Sequence, residues 1–144
     1  MKIEKGTKVL ITAVAMGKSG CRLFLTDINE KGLGETCRLV SRSGGEVCLY
    51  RSFDISVFDD VRAFADAVHA ESGALDILIN NAGIALFALV ENMTHAHWQK
   101  VINTNLWGPI HGIECFIKEM IRASFDIKAL YFLKNIFSRP TIVF

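Results

Sequence analysis

Two apolar runs in the chain end in a carboxylate, CRLFLTD at Asp27 and EVCLYRSFD at Asp54, the latter followed by Ile55. A third, ALDILIN, runs into the tetrapeptide NNAG, Asn80 to Gly83. A carboxylate at the end of a strand can accept hydrogen bonds from the hydroxyls or amines of a ligand, and a glycine without a Cβ lets backbone approach a ligand closely. Asn105 stands four residues before Pro109, which has no N–H; in a helix the Asn105 carbonyl therefore loses its partner and is free to hold a water. Each of these residues also has a plainer reading. Asp27 fits the turn before a helix, Asp54 the turn before a Ser56 cap, NNAG a β-to-α turn and Asn105 a proline kink in a packed helix.

Metal and thiol chemistry have no comparable pattern. His69, His95, His97 and His111 form no ligand set, since His95 and His97 lie two apart on different helical faces, and all four read as surface or cap residues. Cys21, Cys37, Cys48 and Cys115 contain no CxxC pair and read as free, reduced core thiols, which implies a cytoplasmic setting.

The elements that must position these residues follow from periodicity. Strands are expected near 8–12, 21–27, 46–53 and 75–80, the last an almost continuous apolar run suited to a strand covered on both faces. Between them, Leu33, Cys37 and Val40 fall at helical spacing after a capping Asn29, and the helix ends at Gly44 and Gly45. Val61, Phe64, Ala65 and Val68 make a second apolar stripe ending near Gly73, with Ser56 and Asp59 spaced as a capping box. From Thr94 a long helix carries Trp98, Val101, Ile102, Leu106, Ile110, Ile113, Phe116, Ile117 and Met120 as its core face, interrupted at Gly108 and Pro109. Alternating strands and helices imply βαβ units and a parallel sheet whose ligands bind at the carboxyl ends of the strands.

Composition bounds the answer. The 144 residues make one domain, and 51% hydrophobic with 22% charged residues suits a soluble globular core. A formal charge of +1 excludes a globally basic surface for nucleic acid or anionic membrane. No run reaches the ~20 apolar residues of a membrane span, and the basic leader with its short apolar run at residues 9–16 is a poor signal peptide.

LDILINNAG, the strand-ending Asp27 and Asp54, and the helical NTNLWG together resemble the short-chain dehydrogenase/reductase family, over roughly Thr7 to Met120. The resemblance implies an α/β fold with a Rossmann-like, doubly wound parallel sheet. It implies NAD(P)-dependent hydride transfer between an alcohol and a ketone. Thr12, Asp27, Asp54, Ile55, Asn81, Ala82 and Gly83 would then be cofactor-binding: Asp27 on the adenosine ribose, selecting NAD over NADP, Asp54 and Ile55 at the adenine, and Asn81 to Gly83 along the nicotinamide ribose. Asn80 would pin neighbouring strands. Asn105 matches the family's active-site asparagine in a proton relay, and the helix over 94–121 would pair with a second subunit, as a homo- or heterodimer.

Two departures accompany the resemblance. Thr12 is followed at once by AVAMGKSG, where the family places a glycine-rich phosphate loop opening a helix. Only nine residues, Ala13 to Cys21, join the first two strands, and about a dozen are wanting for a helical crossover. A displaced, antiparallel or frayed first strand is expected. The family's Tyr with a Lys four residues on is also absent, Tyr131 and Lys134 being three apart with no preceding serine strand. The expectation is an incomplete Rossmann-like domain over 1–121 with a basic, aromatic tail over 122–144 that covers apolar surface. Such a chain would be inactive as it stands. Its alternatives are a non-catalytic pairing module and a poorly folding splice or truncation product.

Overall fold

A computed structural model describes residues 20–123 in full and the backbone of residues 8–11 and 130–131. Five parallel strands form one sheet in the order β3-β2-β1-β4-β5, where β1 is Lys8–Ile11, β2 Arg22–Asp27, β3 Glu46–Ser52, β4 Ile77–Ile79 and β5 Leu130–Tyr131. The order reverses between β1 and β4, the switch point at which sheets of this kind bind ligands. Helix α1 (Glu30–Arg42) joins β2 to β3 and α2 (Phe58–Ser72) joins β3 to β4. After β4 come a 3₁₀ turn at Val90–Asn92, then α3 (His95–Ile102), a π turn (Asn103–Trp107) and α4 (Gly108–Ala123).

The sheet is covered on both faces, as the unbroken apolar strands require. Phe24 and Leu78 point into one core with Phe64, Ala65 and Val68 of α2 and Phe116 and Met120 of α4. Leu23, Leu25 and Ile77 point into the other, with Leu33 and Val40 of α1. Phe24, Phe64 and Phe116 are each at most 1% exposed, and full burial of such a side chain contributes roughly 1.5–3 kcal/mol. Asn29 caps α1 by accepting from the Gly32 N–H at 3.1 Å. Thr94 caps α3 in a capping box with His97. Gly44 (φ 82°) and Gly73 (φ 69°) end α1 and α2 in the left-handed region.

The structure corrects several expectations. The first strand is neither displaced nor antiparallel: β1 lies between β2 and β4 and pairs parallel with both. Returning from the level of Ile11 to that of Lys8 and stepping to the next strand takes about 11 Å. The ten residues between the two strands can span about 33 Å. That reach is ample for a parallel return. Leu130–Tyr131, inside the stretch read as a separate tail, add a fifth strand beside β4 in register with Leu78 and Ile79.

The capping box at Ser56 does not form. The N-cap of α2 is Val57, without a side-chain bond, because Asp54 has taken over the turn: its Oδ1 accepts from the Ser56 N–H at 2.9 Å and its carbonyl from the Val57 N–H at 3.0 Å. The long helix is not broken at Gly108 and Pro109 but widened before them. The Gly108 N–H donates to the Asn103 carbonyl, five residues back, which accommodates the N–H that Pro109 lacks.

Trp98, Ile102 and Leu106 are not core. They are 50%, 45% and 41% exposed and share the surface with Phe87 and Val90, both above 80%. Only the α4 half of the stripe is buried, at Phe116 and Met120. Two of the histidines also depart from a surface reading. His69 packs edge-on against Phe116, its Nε2 buried without a hydrogen-bond partner among the described residues, and His111 is partly buried and hydrogen-bonded.

Candidate functional site

A cavity of about 690 Å³ opens at the carboxyl ends of the strands, and its walls are the strand-to-helix turns singled out in the sequence. Asp27 and Ile28 come from the end of β2. Asp54, Ile55 and Ser56 follow β3; Asn81, Ala82, Gly83 and Ile84 follow β4; Lys100, Asn103 and Thr104 come from α3 and the π turn. Six of the eight residues expected at the site, Asp27, Asp54, Ile55, Asn81, Ala82 and Gly83, thus line one cavity. Thr12 lies outside the described residues. Asn105 stands just behind the lining.

Each carboxylate is oriented by the backbone two residues on. Asp27 Oδ1 accepts from the Asn29 N–H at 2.9 Å, as Asp54 Oδ1 does from Ser56. The plainer reading of both residues as turn formers is therefore correct. It does not exclude the other, because a carboxylate offers about four lone-pair positions and one N–H occupies only one of them. The turn bond fixes which way the remaining positions face.

Asn105 holds the NNAG loop with its side chain. Its Oδ1 accepts from the Ile84 N–H at 2.8 Å and its Nδ2 donates to the Ile84 carbonyl at 2.9 Å, imitating a rung of β-ladder across 21 residues of sequence. The sequence points only to the backbone carbonyl of Asn105; its side chain makes the clamp.

Close approaches fix α4 against the other turns. A Cβ on Gly108 would overlap Ile55 Cδ1 and lie 2.8 Å from Ile55 Cγ1, and a Cβ on Gly112 would lie 2.7 Å from Asn80 Oδ1. Asn80 therefore packs against α4 at Gly112. His111, which reads as a surface or cap residue in the sequence, faces the same turn: its Nδ1 lies 3.0 Å from the Ile55 carbonyl oxygen. Its ring is stacked on Trp107 and meets Phe58 edge-on.

Burial raises the pKa of Cys21, Cys37, Cys48 and Cys115, which keeps the thiols protonated. Among the described residues no three His, Cys, Asp or Glu gather as metal ligands. No described helix is long and apolar enough to cross a membrane.

Comparison with known proteins follows the same lines. Residues 10–125 match the short chain dehydrogenase family. D-threitol dehydrogenase of Mycolicibacterium smegmatis is 34% identical over 113 residues, 77% of this chain and 42% of that protein. Among solved structures, a metagenomic short-chain oxidoreductase in complex with NADP superposes with a TM-score of 0.76 at 30% identity, over 83% of this chain and 58% of that one. A short-chain dehydrogenase/reductase from Burkholderia phymatum in complex with NAD does so with a TM-score of 0.75 at 26% identity, over 85% and 47%. The chain spans 42–58% of the length of these proteins. With the sheet order, the NNAG turn and the family match in agreement, the chain belongs to the short-chain dehydrogenase/reductase family.

Proposed function

We propose that this chain is the nucleotide-binding half of a short-chain oxidoreductase and holds the adenosine side of a nicotinamide cofactor, NAD(H) in preference to NADP(H). The observation that carries the reading is the convergence of Asp27, Asp54, Ile55 and the NNAG turn on one cavity, whose size falls within the usual range for small-ligand sites. The acceptor set suits an adenosine. Asp27, with one oxygen in its turn, keeps acceptor capacity for two vicinal ribose hydroxyls and would repel a 2′-phosphate. Asp54 can accept from the exocyclic amine of adenine while Ile55 covers the ring. Gly83, without a Cβ, admits a ribose close to the backbone.

When bound, the nicotinamide supplies the hydride of an alcohol–ketone interconversion. The chain's own residues bind and orient the cofactor; they do not complete the acid–base chemistry. The proton exchanged with the substrate oxygen calls for a tyrosine whose pKa a nearby lysine lowers. Neither Tyr50 nor Tyr131 has a lysine four residues on. We therefore read this chain as binding without turnover.

Titration of NADH and NADPH against tryptophan fluorescence tests the binding. NADH should bind more tightly than NADPH, and Asp27→Ser should narrow or invert that ratio. Equal affinities, unmoved by the substitution, would remove Asp27 from the site; steady oxidation of NADH by a panel of carbonyl compounds would overturn the non-catalytic reading.

A pairing module is the second reading, favoured by the exposed apolar surface of Phe87, Val90, Trp98, Ile102 and Leu106.

A further inference from the structure

The peptide unit between Ile55 and Ser56 is gripped at both ends. Its N–H, on Ser56, donates to Asp54 Oδ1 at 2.9 Å. Its carbonyl, on Ile55, faces His111 Nδ1 at 3.0 Å. A carbonyl oxygen can only accept, so the proton of His111 sits on Nδ1 and the imidazole donates. Because the peptide is planar, its C=O and N–H turn together. Rotation of the plane breaks the bond to His111 and the bond to Asp54 at once.

We infer that His111 is a positioning residue of the nucleotide site: by fixing the Ile55–Ser56 peptide plane, it sets the direction in which the Asp54 carboxylate faces the adenine. This rests on the cofactor reading above. The ring is itself immobilised, with its centroid 6.1 Å from that of Trp107 and 5.3 Å from that of Phe58, the first residue of α2. The Arg62 guanidinium lies over the Phe58 ring, 5.4 Å from its centroid. Gly108, one turn before His111, removes the Cβ that would hold Ile55 off the helix.

The same short stretch also reaches the opposite wall of the cavity, through Asn105 on Ile84. Residues 105–111 therefore hold the adenine turn and the NNAG turn at one separation, and the π turn gives this strut its shape. In a regular helix Pro109 would leave the Asn105 carbonyl unpartnered; the wider turn moves Asn105 relative to His111 so that each meets its own wall.

Two variants separate the donor from the ring. His111→Phe keeps an aromatic between Trp107 and Phe58 but cannot donate. His111→Asn loses the ring but places an amide N–H near the position of Nδ1. Loss of one hydrogen bond predicts that His111→Phe weakens adenosine 5′-monophosphate and NADH binding about five- to tenfold. Nicotinamide mononucleotide, which lacks the adenosine, should be unaffected, and His111→Asn should recover most of the loss.

Amide exchange supplies a readout that needs no ligand. The Ser56 N–H should exchange faster in His111→Phe and return toward the wild-type rate in His111→Asn, with Phe24 in the core unchanged. If Ser56 exchange is the same in all three proteins, His111 does not fix the peptide and the inference falls. Exchange that responds as expected in a protein that binds neither NADH nor adenosine 5′-monophosphate would refute the cofactor reading while upholding the grip on the turn. Adenosine 5′-monophosphate affinity that ignores both variants in a binding-competent protein would overturn the link to adenine.

Discussion

Replacing Asn105 with alanine asks whether that residue acts through its side chain or only through its place in a kinked helix. The substitution deletes two hydrogen bonds, from the Ile84 N–H at 2.8 Å and to the Ile84 carbonyl at 2.9 Å. Each contributes about 0.5–1.5 kcal/mol net, and both are only part-buried, so water can re-satisfy Ile84 and the lower half of the summed range applies, roughly 1–2 kcal/mol. For a domain of this size about 4 °C of Tm corresponds to each kcal/mol, which predicts a fall of roughly 4–8 °C by calorimetry.

Asn105→Asp sharpens the experiment. The carboxylate keeps the acceptor for the Ile84 N–H but presents a second oxygen to the Ile84 carbonyl, so it should be at least as damaging as alanine despite its near-identical shape. Faster exchange of the Ile84 amide in both variants would locate the effect in the NNAG turn. If Tm moves by less than about 1 °C, below the smallest contribution of one such bond, and Ile84 exchange is unchanged, the clamp reasoning is wrong. Asn105 would then matter only through its backbone.

Two other substitutions probe the frame around the site. Gly108→Ala drives a Cβ into Ile55 and should cost about 1–3 kcal/mol by overpacking, outweighing alanine's better helix propensity. Combining it with Ile55→Ala should recover part of that loss in urea denaturation, whereas simple additivity would mean that the two do not touch. Trp98→Glu together with Leu106→Glu places charge on the exposed apolar surface without disturbing the buried core. By light scattering the wild type should self-associate with concentration and the double variant remain monomeric; a monomeric wild type without bound partners would exclude the pairing reading.

The sheet and the lining of the cavity were legible because the rules that place them are local. A strand covered on both faces is apolar throughout, as ALDILIN is, and turns at strand ends need Asp, Asn and Gly, as at Asp27, Asp54 and NNAG. The helix cap at Asn29 and the glycines closing α1 and α2 are equally short-range signals. What escaped the sequence depended on distant neighbours. Periodicity marks Trp98, Ile102 and Leu106 as one face but cannot say what covers it.

At Ser56 two local devices competed, and the Asp54 turn displaced the capping box because both would use the same few N–H groups. His111 carries no motif, and its partner at Ile55 lies 56 residues away. The parallel placement of β1 was missed because counting residues for a helical crossover ignores how far an extended chain reaches.

The contact between Gly112 and Asn80 bears on how this domain could be recombined. With no Cβ on the helix, the Asn80 amide at the end of β4 sits against the α4 backbone, and the two positions form a matched pair like a key and its ward. A chimera that takes the β4 end from this chain and α4 from a relative bearing a larger residue at position 112 inherits a collision, although neither parent has one. Domain shuffling that keeps residues 80–112 as one block avoids it, and junctions placed inside that block should yield insoluble protein more often than junctions outside it.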